Sequence, residues 1–158
     1  MISVGEKAPI FEGISDSGEK IVLSDFIGKK NVVLYFYPKD ETPGCTAEAC
    51  GFRDNWEKIV SMDATILGVS SQSVDSHKKF KQRHELPFTL IADAKNDIRK
   101  KYGATGMLIP PRVTFIVDKE GVVRYVLSSQ LDVTRHVRES LEVLEKLQRN
   151  GLEDAKKN

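Results

Sequence analysis

Apolar residues fall along this chain in two patterns, short unbroken runs and one-sided stripes, and the two predict different elements. Val32-Val33-Leu34-Tyr35-Phe36-Tyr37 is a continuous β-branched and aromatic run closed by Pro38, which predicts a strand covered on both faces of a sheet. Ala64-Thr65-Ile66-Leu67-Gly68-Val69-Ser70, Val113–Val117 and Val122–Leu127 repeat the pattern. Asp118-Lys119-Glu120-Gly121 makes a short glycine-closed turn between the last two, so they are expected to form an antiparallel hairpin. Helix-length segments separate the earlier strands, so the sheet should be mixed.

The stripes predict helices. Phe52, Trp56, Ile59 and Val60 fall at i, i+4, i+7 and i+8, and Val133, Val137, Leu141 and Leu144 at i, i+4, i+8 and i+11. Asp132 is placed to cap the second of these, Lys146 and Arg149 lie in its final turns, and Gly151 marks a stop. Shorter helices are expected at Val74–His84, ahead of Leu86-Pro87, and at Asn96–Tyr102, ahead of Gly103. The result is one α/β domain over residues 1–150 with a tail from 151 to 158. Helices should cover both sheet faces, and the site should lie off the carboxyl ends of parallel strands.

Length and charge narrow the function classes. With 158 residues and 40% hydrophobic composition, one domain can bury an adequate core without disulfide staples. The 24 basic and 23 acidic residues leave a formal charge of +1, so no global field selects nucleic acid. Lys78-Lys79, Arg83 and Lys100-Lys101 read as solvated helix faces. The longest apolar run falls far short of the ~20 residues a membrane span needs. Two cysteines, and an opening Met1–Lys7 without a basic-then-apolar leader, lead us to expect a reducing, cytoplasmic setting.

The candidate chemistry is concentrated at Cys45, which follows the first strand by eight residues and begins the Phe52 helix. Cys45, Ala49, Phe52 and Trp56 are spaced four, three and four apart, which places the sulfur on the sheet-facing stripe. Unpaired N–H groups at a helix start favour a thiolate over a thiol. Fast chemistry needs, in addition, donors for the charge that develops on the substrate. A free cysteine can equally be a small buried hydrophobe, but Thr42 and the loop-forming Pro43-Gly44 pair supply what a reactive thiol requires. Cys45, Cys50, His77, His84 and His136 show no recognised metal-ligand spacing. On one straight helix Cys45 and Cys50 would have Cα atoms about 8 to 9 Å apart, beyond the ~7 Å limit for a disulfide.

Tyr37-Pro38-Lys39-Asp40-Glu41-Thr42-Pro43-Gly44-Cys45-Thr46-Ala47-Glu48-Ala49-Cys50, followed by Phe52-Arg53-Asp54, resembles the active-site segment of the peroxiredoxins. Within them it is similar to the bacterioferritin comigratory protein, or peroxiredoxin Q, branch. Val4–Phe11 resembles the family's N-terminal hairpin, and Arg112–Asp118 resembles the strand that carries its active-site arginine. The resemblance implies a thioredoxin-like fold and reduction of hydrogen peroxide and organic hydroperoxides without cofactor or metal. Cys45 would be the peroxidatic residue, Thr42 and Arg112 would bind the peroxide, Pro38 would shield the pocket, and Glu48 would orient Arg112. It further implies that Cys50 resolves the sulfenic acid as an intramolecular disulfide, that a thioredoxin-like protein reduces it, and that the chain is a monomer, with a dimer through edge strands or pocket-side loops as the alternative. Leu108-Ile109-Pro110-Pro111 departs from the usual glycine-containing approach to the arginine and puts substrate preference in question. A Cys-x-x-Cys disulfide reductase fits the cysteine spacing poorly. A redox-responsive holdase exposing Phe52 and Trp56 is the alternative of a different class.

Overall fold

A computed structural model describes residues 1–157, with side chains described through residue 152. Seven strands form one sheet: β1 (Glu12–Ser15), β2 (Lys20–Val22), β3 (Asn31–Phe36), β4 (Ala64–Ser70), β5 (Thr89–Ala92), β6 (Val113–Val117) and β7 (Val123–Ser128). Their order is β2-β1-β5-β4-β3-β6-β7. The expected mixture is present: β3, β4 and β5 run parallel, while β6 is antiparallel to β3 and to β7. Every residue of β3 is buried, as an unbroken apolar run between two sheet neighbours and two covered faces requires.

The helices are α1 (Pro43–Asp54), α2 (Trp56–Ser61), α3 (Val74–His84), α4 (Asp97–Lys101) and α5 (Val133–Lys157). Helices do cover both faces, but unequally. Val33, Tyr35 and Tyr37 face a core completed by Phe52 of α1, Ile59 of α2, Phe80 of α3, and Val137 and Leu144 of α5. Val32, Leu34 and Phe36 face the other core, which holds Ile98 of α4, Tyr102, and Phe11 and Leu23 of the N-terminal segment. The Tyr35 ring crosses Gly68 on β4 so closely that a Cβ there would lie 2.9 Å from ring atoms. That glycine is therefore a packing requirement of the central strands.

Several expected elements are displaced. The N-terminal hairpin is β1–β2, with Glu12 opposite Val22, whereas Val4–Phe11 lies against the start of β7, with an isolated Lys7–Val122 bridge and Gly5 N–H donating to Val123 O at 2.8 Å. The helix expected through Val60 breaks at Asn55, whose Nδ2 donates to Gly51 O at 2.8 Å; an Asn side chain competing for a helix carbonyl ends the run locally. Val60 is exposed in consequence. Strand β5 has no clear sequence signal, because its four residues carry too little periodicity. Asp132 does cap α5, accepting from Arg135 N at 3.3 Å. The stop expected at Gly151 is absent, since α5 continues to Lys157.

Candidate active site around Cys45

Sheet register brings the site together. Phe36, the last residue of β3, pairs with Val113, the first of the antiparallel β6, so the segment leaving β3 and the residue entering β6 meet at one end of the sheet. That end is the carboxyl end of the parallel strands β3 and β4. Arg112 immediately precedes Val113, and the loop to Cys45 immediately follows β3.

Buried polar bonds hold the loop. The Asp40 carboxylate accepts from Tyr37 Oη at 2.6 Å and from Ser76 Oγ at 2.8 Å, and lies 2.7 Å from His77 Nδ1. His77 Nε2 is 3.0 Å from Ile91 O. A carbonyl and a carboxylate both accept, so each ring nitrogen is placed as a donor, and Asp40 with His77 forms a buried ion pair. Burial by itself would raise the Asp40 carboxyl, but the bonds from His77, Tyr37 and Ser76 hold it below its usual range. Thr42 occupies the N-cap position of α1 with extended backbone angles. Its hydroxyl donates to Lys39 O at 2.8 Å, which folds the Thr42 side chain back on the loop. Pro43 follows at N1, where its missing N–H costs nothing.

Cys45 is 2% exposed in the first turn of α1, and its sulfur accepts from Arg112 Nη2 at 3.5 Å. The guanidinium is fixed on its other sides. Nη1 donates to Glu48 Oε1 at 2.7 Å and Nε to Gln130 O at 3.2 Å, while the Arg112 backbone N–H donates to Gln130 Oε1 at 2.8 Å. Glu48 lies three residues after Cys45, on the same face of α1. It is wholly buried rather than an exposed first-turn carboxylate. Burial pushes its carboxyl up to about 7 against the pull of Arg112. Arg112 would be lowered by burial, but Glu48 and Cys45 beside it keep it above its ordinary value. Negative charge on Cys45 therefore meets a cation that is already aligned.

Cys50 lies half-buried further along α1, and both cysteines are free. Pro38 is half-buried where the loop leaves the sheet. The Pro110-Pro111 approach is anchored by Arg99. That buried side chain donates from Nη1 to Ala104 O at 2.8 Å and Pro111 O at 2.7 Å, and from Nη2 to Tyr37 O at 3.1 Å. Its guanidinium also lies 5.4 Å from the centre of the Phe36 ring. Burial lowers Arg99 to about 10, opposed by Asp93 and Cys45, so it stays charged at neutral pH. One side chain thus clamps the residue before Pro38 to the residue before Arg112. Sequence reasoning missed Arg99, Gln130 and the Asp40–His77 pair, since nothing local distinguishes them from ordinary surface residues.

Elsewhere the structure offers less chemistry. A 640 Å³ cavity lined by Asn31, Met62, Asp118 and Arg124 lies at the opposite end of the sheet and contains none of these site residues. Among the described residues, no group of three or more His, Cys, Asp or Glu side chains converges as a metal site would. None of the described helices is long and apolar enough to cross a membrane.

Comparison with known proteins agrees with this geometry. Residues 4–126 match the AhpC/TSA family. The chain is 43% identical to peroxiredoxin Q, chloroplastic, of Oryza sativa subsp. japonica, over 92% of this chain and 68% of that protein. It is 46% identical to the putative peroxiredoxin bcp of Coxiella burnetii, over 87% of this chain and 95% of that one. Among solved structures, peroxidoxin BcpB of Mycobacterium tuberculosis superposes with TM-score 0.87 at 31% identity, covering 92% of this chain and 98% of that one. The bacterioferritin comigratory protein of Xanthomonas campestris, whose structures concern alkyl peroxide reduction activity, gives TM-score 0.83 at 28% identity over 87% and 92% of the two chains. The chain therefore belongs to the AhpC/TSA family, as a thiol peroxidase of the peroxiredoxin Q branch with a thioredoxin-like fold.

Proposed function

We propose that Cys45 is the peroxidatic residue and Cys50 the resolving one. The Cys45 thiolate attacks one oxygen of ROOH, the O–O bond breaks, and sulfur is oxidised to the sulfenic acid while the leaving RO⁻ takes up a proton as ROH. Arg112 offers donors to both the sulfur and the departing oxygen. Lysine, with a single ammonium, could not serve the two while also holding Glu48. Glu48 orients the guanidinium, Pro38 shields the sulfur, and Thr42, whose hydroxyl proton is spent on Lys39 O, bounds the pocket and keeps lone pairs to accept from the O–H of the hydroperoxide. Cys50 then displaces water from the sulfenic acid to form the Cys45–Cys50 disulfide, and a thioredoxin-like dithiol reduces it. The contact from Arg112 to Cys45 Sγ carries this reading.

Hydrogen peroxide and organic hydroperoxides are both proposed substrates. Met107, Leu108 and Ile109, which precede Arg112, and Leu131, which follows its partner Gln130, are exposed apolar side chains. They can meet an alkyl group beside a site whose polar donors address only the peroxide oxygens. Both sulfurs belong to one helix, so the cycle needs no second copy, and we propose a monomer in which residues 1–150 work as a single domain. The dithiol step suits the reducing cytoplasm. The near-neutral charge gives no attraction to nucleic acid or to a membrane surface.

Mass spectrometry of the reduced protein after one equivalent of peroxide tests the assignment. A loss of two hydrogens linking Cys45 to Cys50 is expected, with no oxidation in Cys45→Ser and an unresolved sulfenic acid in Cys50→Ser. Peroxide consumption by Cys45→Ser at the wild-type rate would defeat it. Light scattering in both redox states tests the monomer.

A further inference from the structure

Behind Arg112 lies a second layer of buried polar groups. Glu48 uses Oε1 on the guanidinium, while Oε2 is buried with no hydrogen-bond partner. An acceptor left unmet in a dry interior is costly, so the polar groups around it matter. His136 Nδ1 on α5 lies 3.7 Å from it. His136 is wholly buried, and its Nε2 is 2.7 Å from Ser129 O. A carbonyl can only accept, so Nε2 carries the ring proton and Nδ1 of the neutral ring accepts from Thr114 Oγ1 at 2.8 Å. The next residue, Gln130, is the one that binds Arg112 through both its carbonyl and its side chain. His136 therefore touches both supports of the arginine, the Glu48 carboxyl on one side and the Ser129-Gln130 turn on the other.

We propose that His136 is a positioning residue for Arg112, holding from α5 the carboxyl and the turn between which the guanidinium is aimed at Cys45 Sγ. The proposal rests on the assignment of Arg112 to the peroxide step. It also gives the orphaned oxygen a role. With Glu48 near 7 and His136 kept below the usual imidazole range, mainly by burial, the carboxyl changes charge near neutrality while the ring stays neutral. A protonated Oε2 can donate to Nδ1 in place of Thr114. The charged and titratable groups facing this pair are Arg112, ahead of β6, Cys45 on α1, Tyr35 on β3, and Asp132 and Arg135 on α5.

Single-turnover oxidation of Cys45 by hydrogen peroxide, followed from pH 5 to 9 in the full chain, tests it with His136→Phe, His136→Gln, Glu48→Gln and the double variant His136→Phe/Glu48→Gln. We expect His136→Phe to slow oxidation about tenfold at neutral pH and to move the midpoint of the pH profile, His136→Gln to restore most of the rate, and the loss to shrink to about threefold or less in the Glu48→Gln background. A wild-type rate and midpoint in folded His136→Phe would overturn the proposal, as would an equal loss with and without Glu48 and no change of midpoint. If His136→Phe does not fold, ¹⁵N NMR of the wild-type ring decides: the Nε2–H tautomer through neutral pH supports the proposal, and the Nδ1–H tautomer overturns it. A wild-type rate in Arg112→Lys would instead sink the underlying assignment, with His136 untouched.

Discussion

Gly44 and Arg112 are in close approach: a Cβ on Gly44 would lie 3.0 Å from Arg112 Nη2. The guanidinium cannot simply swing aside, because Glu48 and Gln130 hold it. Gly44→Ala is therefore expected to push it a few tenths of an ångström from its aim on Cys45. Stopped-flow oxidation should slow about three- to tenfold with little change in melting temperature, since catalytic alignment is far more sensitive than stability to such a shift. An unchanged rate would show that Arg112 has more freedom than its bonds imply.

Arg99→Met removes the donor for Tyr37 O, Ala104 O and Pro111 O together. Buried carbonyls left without partners cost about 1 to 3 kcal/mol each before relaxation, so a loss of roughly 3 kcal/mol or more is expected in urea unfolding. The rate of Cys45 oxidation should fall as well, because the Pro111 anchor sits next to Arg112.

Asp40→Asn tests the loop anchor through pH. Asp40 is lowered in the folded state, so its contribution is present above the ordinary carboxyl range near 4 and is lost as pH falls through the folded value. The melting-temperature gap between wild type and Asp40→Asn should be widest at neutral pH and narrow in acid. About 3 kcal/mol at neutral pH is the expected scale for breaking a buried pair. A gap independent of pH would mean that packing, and not the Asp40 charge, holds the loop.

Glu48 has the opposite sign. Its folded value is raised to about 7, so the protonated carboxyl favours folding below its unfolded value near 4.3, and that contribution disappears as pH rises through 7. Glu48→Gln should therefore match wild type in melting temperature at pH 4 and gain on it by several degrees at pH 8, even though its peroxidase rate falls. Parallel stability curves would place the Glu48 charge in contact with water.

What the sequence made legible followed the strength of its local signals. Strands β3, β4 and β6 and the start of helix α5 stand out because long β-branched runs or a capped stripe leave no competing element. The four-residue β5 had no such signal, and the break at Asn55 depends on one side chain reaching back to Gly51. At the site, Cys45 and Thr42 belong to one contiguous segment, and Arg112 was found through family resemblance. Arg99, Gln130 and His136 come from three distant stretches and become visible only once β3 and β6 are paired. His136 was hardest of all, occupying a place in the α5 stripe next to Val137 where an apolar residue would pack equally well.

Both sulfurs stand on a single intact helix, α1, and this sets a clock. In the proposed cycle, oxidised Cys45 waits for its helix to open before Cys50 can reach it, and during that wait a second peroxide molecule can carry the sulfur on to the sulfinic acid, which a dithiol does not reverse. Tighter packing of α1 would lengthen the wait. A sturdier variant should thus be more easily poisoned by its own substrate.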